Sequence, residues 1–498
     1  MKKKGILFKI IPLATLLFSL TAQTIVFAGG YGGFEPYEGY SYGGAAYGLL
    51  PAPNGFLPED IIDGDLLGIG AFKNPQDFFY QKDSKLLYLL DSGNNRIVVF
   101  DSDLEFVKII ENFTYEDENY DLSVSAKSVF VHKNGEIYVT DTGNFQIIVM
   151  NDNGVINRVY EKPDTPFMSD NIAFDPIQVA VDSSGMIYVL AKSVSNGLIT
   201  LDQAGNFLGF YGTAEVPKTW EYYFEMFMRK IFKNSTITLG TSFVPKAYGN
   251  FHLREDDFIY AVISVPVKVE ASEKQLYKLN PKGVDVMTGA YDYVYYGLPG
   301  FSFLGDVVTG EDEIFYILDS GFGKVYLCIE GYWEMLMPGS YGDTFGTFKS
   351  PIAVEVIGER ILVLDSDKAS VTVFDPTEYG KLVIEALKHE NIGDFRSAAE
   401  KWNELFKMNA TLRKAYEGLG MAELDEENYE EAMKYFKLAW RTDGFGEAKE
   451  LNRQKLLSRY MGPGIVVIVI VYIVFKLKKF IAKPFAKLLK RDETGGEK

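Results

Sequence analysis

The sequence predicts a mainly β fold: a six-bladed β-propeller, followed by an α-helical hairpin domain and a single C-terminal transmembrane helix. Three observations carry this expectation. β-rich segments of one pattern recur at a period of about fifty residues through the middle of the chain. From about Thr377 the apolar pattern changes from period two to helical spacing. Close to the C-terminus, Ile465 to Phe475 (IVVIVIVYIVF) is uninterrupted apolar sequence.

The chain has 498 residues, enough for two or three units. It carries 50 Lys and Arg against 68 Asp and Glu, a net charge of -18. The imbalance lies in the middle: residues 29–461 hold 38 bases and 65 acids. A surface so acidic excludes nucleic acid as a partner, because phosphate binding needs clustered cations. Cys328 is the lone cysteine, so no intrachain disulfide can form, and three His make a His-rich metal centre unexpected.

Residues 1–28 read as a secretory signal: Lys2, Lys3 and Lys4, an apolar run from Ile6 to Leu20, then Val26-Phe27-Ala28 for cleavage. An uncleaved anchor is the alternative, and either one exports the chain beyond it. Residues 29–56 form a Gly/Tyr-rich lead-in without evident periodicity, expected to be flexible or loosely adhering.

The propeller is expected over residues 57–376. Its repeats include LYLLDSGNNRIVVFD (87–101), IYVTDTGNFQIIVMND (137–152), IYVLAKSVSNGLITLD (187–202), FYILDSGFGKVYLCIE (315–330) and ILVLDSDKASVTVFD (361–375), with a degenerate copy at 259–280. Each reads as two strands about a polar turn, each is preceded by a further strand, and most are succeeded by a fourth. Six units that cannot bury their faces alone suit a closed ring. Pro176, Gly185, Ile187, Tyr188 and Val189, with Gly135, Ile137, Tyr138, Val139 and Asp141, resemble the signature of the NHL-repeat family. Ala191 and Val262 depart from it where other units have Asp. That resemblance implies a propeller and leaves activity open. Unit six passes into helical sequence without a fourth strand, so a segment near Asp60 to Asp63 is expected to fill the outer edge, which would otherwise invite aggregation.

A helical domain is expected over residues 377–460. Ala386 and Gly420, Phe395 and Tyr429, Ala398 and Ala432, and Trp402 and Phe436 are each 34 residues apart. This resembles the tetratricopeptide repeat, and the resemblance implies helical hairpins that dock a protein partner; a plain spacer is the alternative. A transmembrane helix is expected at 461–477, then a basic tail at 478–498 whose Lys and Arg place the C-terminus in the cytoplasm and the bulk of the chain outside. Phe480, Ile481, Phe485, Leu488 and Leu489 among those bases suit a helix lying along the inner leaflet.

Alignment of the inner strands places Asp77, Ser128, Gln178, Asn250, Asp306 and Ala353 at equivalent positions. A polar ring near the axis is a candidate ligand-binding set, with Asp77 and Asp306 as candidate calcium ligands; a water-filled polar tunnel is the alternative. Asp91, Asp141, Asp319 and Asp365 end second strands, where a carboxylate can accept turn N–H groups. A helical insertion at 217–240 carries Trp220, Phe224 and Phe227 on one stripe, a candidate lid or aromatic contact over the ring. His132, His252 and His389 fall in different units, so no catalytic residue is assigned and no cofactor is expected beyond a calcium ion. The reading is a non-enzymatic, membrane-anchored binding or scaffold protein of the cell surface. Exported NHL-repeat proteins of this layout imply carbohydrate or a transporter component as partner. The alternative is a cation-dependent hydrolase or lyase acting at the tunnel mouth.

Overall fold

A computed structural model describes residues 39–42, 49–165, 168, 173–212, 247–263, 275–287, 303–310, 314–329 and 332–492. The expected signal segment 1–28 and the expected helical insertion 217–240, with Trp220, Phe224 and Phe227, lie outside the described residues.

Six antiparallel sheets succeed one another as propeller blades. In blade 1, Pro75–Gln81, Leu86–Asp91, Arg96–Asp101 and Phe106–Ile110 form a meander, with Asp77 opposite Leu90 and Leu90 opposite Ile97. The second strands are apolar on both faces: Leu87, Leu89 and Leu90 are fully buried, because each blade packs between two others. Tight turns then need unusual backbone. Asn95, at φ +52, ends the turn between second and third strands, and Asn tolerates that left-handed region better than most residues.

The inner strands of blades 2 to 6 are Val129–Val131, Pro176–Val181, Asn250–Leu253, Leu304–Thr309 and Pro351–Ile357. Phe78, Val129, Val179, Phe251 and Val307, each next to a polar position of the inner strand, are all buried in the apolar clusters between blades. Blade 4 has three described strands. In blade 6 the outer strand comes from the start of the chain. Phe56–Ile62 pairs antiparallel with Ser370–Pro376, Ile62 opposite Val371 and Phe56 opposite Pro376. The third strand of that blade is thus paired on both sides, and a strand from before blade 1 seals the last blade.

Within the lead-in, the expectation of an aperiodic segment needs correction. Gly39–Tyr42 pairs with Leu49–Ala52 as a hairpin. Gly-Tyr-Ser-Tyr alternates with period two, a signal that its high glycine content hides.

The C-terminal part is helical: α1 Glu378–Asn391, α2 Phe395–Met408, α3 Arg413–Asp425, α4 Tyr429–Leu438 and α5 Thr442–Asp492. Thr377 caps α1, its hydroxyl accepting from the Gly380 N–H at 3.1 Å. Two compact units are distinguished, residues 1–393 with 404–412, and residues 394–403 with 413–498. In the second, glycines let helices approach: a Cβ on Gly418 would overlap the Trp402 indole nitrogen, and one on Gly420 would stand 3.0 Å from the Phe436 ring. Among the described residues, α5 is the one helix long and apolar enough to cross a membrane. Its residues Ile465 to Phe475 are all exposed, which water disfavours and lipid does not.

Candidate functional site

Asp77, Ser128, Gln178 and Asp306 line a narrow axial space of about 40 Å³, room for few waters. Their side chains are engaged mainly in joining blade to blade. Asp77 accepts from the Phe78 N–H at 2.8 Å and, across the blade boundary, from the Val129 N–H at 3.0 Å. Gln178 is bidentate to Phe251 of blade 4, accepting its N–H at 2.8 Å and donating to its carbonyl at 2.6 Å. The Asn250 amide donates to the Gly305 carbonyl of blade 5 at 3.2 Å. Asp306 accepts from Val307 and, in blade 6, from Val354, both at 2.8 Å.

Ala353 cannot continue this series. Glu355, two residues further along the same strand and on the same face, accepts from the Tyr80 N–H of blade 1 at 2.9 Å. Sequence alignment stopped at Ala353 and missed this residue. A carboxylate two positions after the gap was the available signal.

Burial pushes the Asp77 carboxyl up to about 7, against the backbone and Ser128 hydrogen bonds that lower it. Burial does the same to Glu355, up to about 7, and raises Asp306 well above the usual range, with Asp77 and Glu355 adding repulsion. Both oxygens of Asp77 and of Asp306 are taken by backbone N–H groups, and among the described residues no group of three or more His, Cys, Asp or Glu could hold a metal ion.

Asp91, Asp141, Asp319 and Asp365 are fully buried. Each accepts from the backbone just before its own inner strand: Lys73 N–H at 2.7 Å, Ser123 at 2.9 Å, Phe303 at 3.2 Å and Lys349 at 2.6 Å. In blade 3, where Ala191 replaces the carboxylate, the polarity is reversed. Asp175 in the entry segment accepts from the Ser193 N–H of the turn at 2.8 Å.

A wider pocket of about 310 Å³ opens where the inner strands run into their first turns. This volume is at the small end of known ligand sites. Phe79 and Phe130 lie in its wall with ring centroids 4.8 Å apart, and both also border the axial space. Around them stand Lys82, His132, His252, Thr309 and Glu355. Expected in separate units with no common site, His132 and His252 are brought together here by the ring. Burial beside Lys82 and Arg254 lowers the His252 pKa to about 3, so its imidazole is neutral. Both ring nitrogens of His132 and the Thr309 hydroxyl are buried without a hydrogen-bond partner. Buried polar groups are almost always bonded, so two residues with unpartnered groups in one pocket wall are an exception that calls for a cause. Several acids of this wall are already engaged: Asp182 accepts from its turn at Ser184 and Met186, and Asp257 from Ser183.

No family model matches the sequence and no curated protein matches it. Among solved structures, a virginiamycin B lyase from Staphylococcus aureus is 12% identical, with 60% of this chain and 94% of that one covered and a TM-score of 0.36. Hydrazine synthase of Kuenenia stuttgartiensis is 12% identical over 61% of this chain and 84% of its own, TM-score 0.37. A luciferin-regenerating enzyme is 10% identical over 61% and 91%, TM-score 0.36. At such identity none of them assigns chemistry to these residues.

Proposed function

We propose that this chain is a membrane-anchored binding protein whose propeller holds a small neutral carbohydrate in the turn-end pocket. The observation that carries this reading is the composition of that pocket. Two aromatic rings offer an apolar face, and unpartnered polar groups of His132 and Thr309 surround it. Sugars present the same two aspects, apolar C–H faces and a periphery of hydroxyls that donate and accept. A neutral ligand is favoured because the pocket mixes cations with acids and shows no single-sign field.

The anchoring helix would leave the acidic bulk of the chain outside the cytoplasm and its basic tail inside. The repeated helix starts at Phe395 and Tyr429, and the close helix approach at Gly418 and Gly420, support tetratricopeptide-like hairpins that dock a protein such as a transporter component. Catalysis at the tunnel mouth is the weaker reading, because the axial carboxylates are engaged in joining blades.

Titration calorimetry of the detergent-solubilised full chain with maltotriose and cellotriose tests the sugar reading. His132→Phe keeps a ring and removes both nitrogens, so it weakens binding about tenfold while leaving the fold intact. Failure of both sugars to bind, with crosslinks in membranes only to proteins, removes the carbohydrate and keeps a scaffold.

A further inference from the structure

The geometry points to an extended cleft, and we infer that the bound carbohydrate is an oligomer running from the axis to the junction of blades 6 and 1. This rests on the carbohydrate reading of the turn-end pocket. On the same face a second cavity of about 550 Å³ lies between the turns of blades 5, 6 and 1. The two cavities share a wall made of Tyr80, Lys82 and Thr309. Beyond that wall the second cavity is bordered by Ser102, Asp103 and Arg360, with the Arg360 guanidinium held by the Ser102 carbonyl.

Three features favour one long guest over two separate ones. Thr309 is only 2% exposed, its hydroxyl has no partner, and the residue lines both cavities. A hydroxyl there suits a linkage passing from one cavity to the next. Lys82 is half exposed and its nearest ion-pair partner, Glu255, is 3.4 Å away and more exposed still. Such a surface pair is weak, so the lysine can swing aside or turn onto a guest. Finally, the second cavity adds polar groups of its own, Ser102, Asp103 and Arg360, to the wall it has in common with the first. A guest of several sugar units is long enough to use both sets.

The test is calorimetric titration of the full chain in detergent with maltose, maltotetraose and maltohexaose, and with the matching cellodextrins. In at least one series, affinity rises tenfold or more from disaccharide to hexasaccharide. Asp103 sits in an exposed turn and lines only the second cavity, so Asp103→Trp fills that cavity alone. It abolishes the gain with length and leaves disaccharide affinity unchanged. A flat length series, or a gain that survives Asp103→Trp, overturns the extended cleft and leaves the turn-end pocket standing. Absence of binding at every length removes the pocket reading together with this one.

Discussion

Asp306→Ala tests whether the axial polar residues hold the blades together. The carboxylate accepts two backbone N–H bonds at 2.8 Å, from Val307 in its own blade and from Val354 in the next. Truncation removes both and leaves a buried N–H on Val354 without an acceptor, a loss of about 2–4 kcal/mol. Asp306→Asn retains a carbonyl oxygen for one of them and removes a charge that burial disfavours. Its amide nitrogen faces the other N–H and cannot accept, so about 1–2 kcal/mol of the loss remains. Acidity supplies a second readout. The folded pKa of Asp77 is raised from 3.8 to about 7, and that of Glu355 from 4.5 to about 7. The folded state therefore keeps protons that the unfolded chain releases near pH 4. Their contribution is fully present below pH 4, falls as pH rises, and levels off above 7. His252, lowered to about 3, acts in the opposite sense, losing stability as pH falls below 6.5. The difference between parent and Asp77→Asn isolates the carboxyl term, at most about 4 kcal/mol. Urea unfolding tracked by near-ultraviolet dichroism at pH 4.5 and 7.5 measures it. An Asp306→Ala protein as stable as the parent, or a pH slope that Asp77→Asn leaves unchanged, would refute the reasoning.

Other parts of the molecule carry further expectations. Ile62→Pro places a proline opposite Val371 in the closing strand; the Ile61 N–H bonds the Asp60 carboxylate, so alternation turns the Ile62 N–H toward the ladder that seals blade 6, and proline removes it. Loss of about 3 kcal/mol and a rise in light scattering are expected, and a monodisperse protein of unchanged stability would count against closure by the chain start. Gly418→Ala drives a methyl group into the Trp402 nitrogen. It lowers helical melting, read at 222 nm, by about 1–3 kcal/mol, whereas the exposed Gly446, with open space about it, tolerates alanine. Thr309→Val removes a buried hydroxyl that has no protein partner. The free protein becomes no less stable by calorimetry, while oligosaccharide affinity drops about tenfold.

Much of the propeller was legible because its signal is local. The β-rich runs Leu86–Asp91 and Ile137–Asp141, each followed by a polar turn and a further such run, specify hairpins without reference to distant sequence. Closure by Phe56–Ile62 was legible for another reason: unit six lacked an outer strand, and a ring with an open edge is unstable. The candidate site was less accessible. His132 and His252 are 120 positions apart and meet only because blades converge on an axis, a consequence of closure that no periodicity reveals. The ring of Asp77, Gln178, Asn250 and Asp306 was found by alignment, but what these side chains bond across the blade boundaries was not. Residue type cannot tell a carboxylate aimed at a cation from one aimed at the next blade's backbone. Glu355 escaped because the ring shifts by one pleat at the last boundary, and Asp175 because donor and acceptor segments exchange places in blade 3.

Hydrogen–deuterium exchange of the full chain in detergent, with and without maltohexaose and cellohexaose, addresses the turn-end site most directly. Protection is predicted in peptides covering residues 79–83, 130–133 and 252–255, with 357–360 added for the hexasaccharide that binds. Protection confined to the opposite turns at 92–95 and 142–145, or to α3 and α4, would contradict the account.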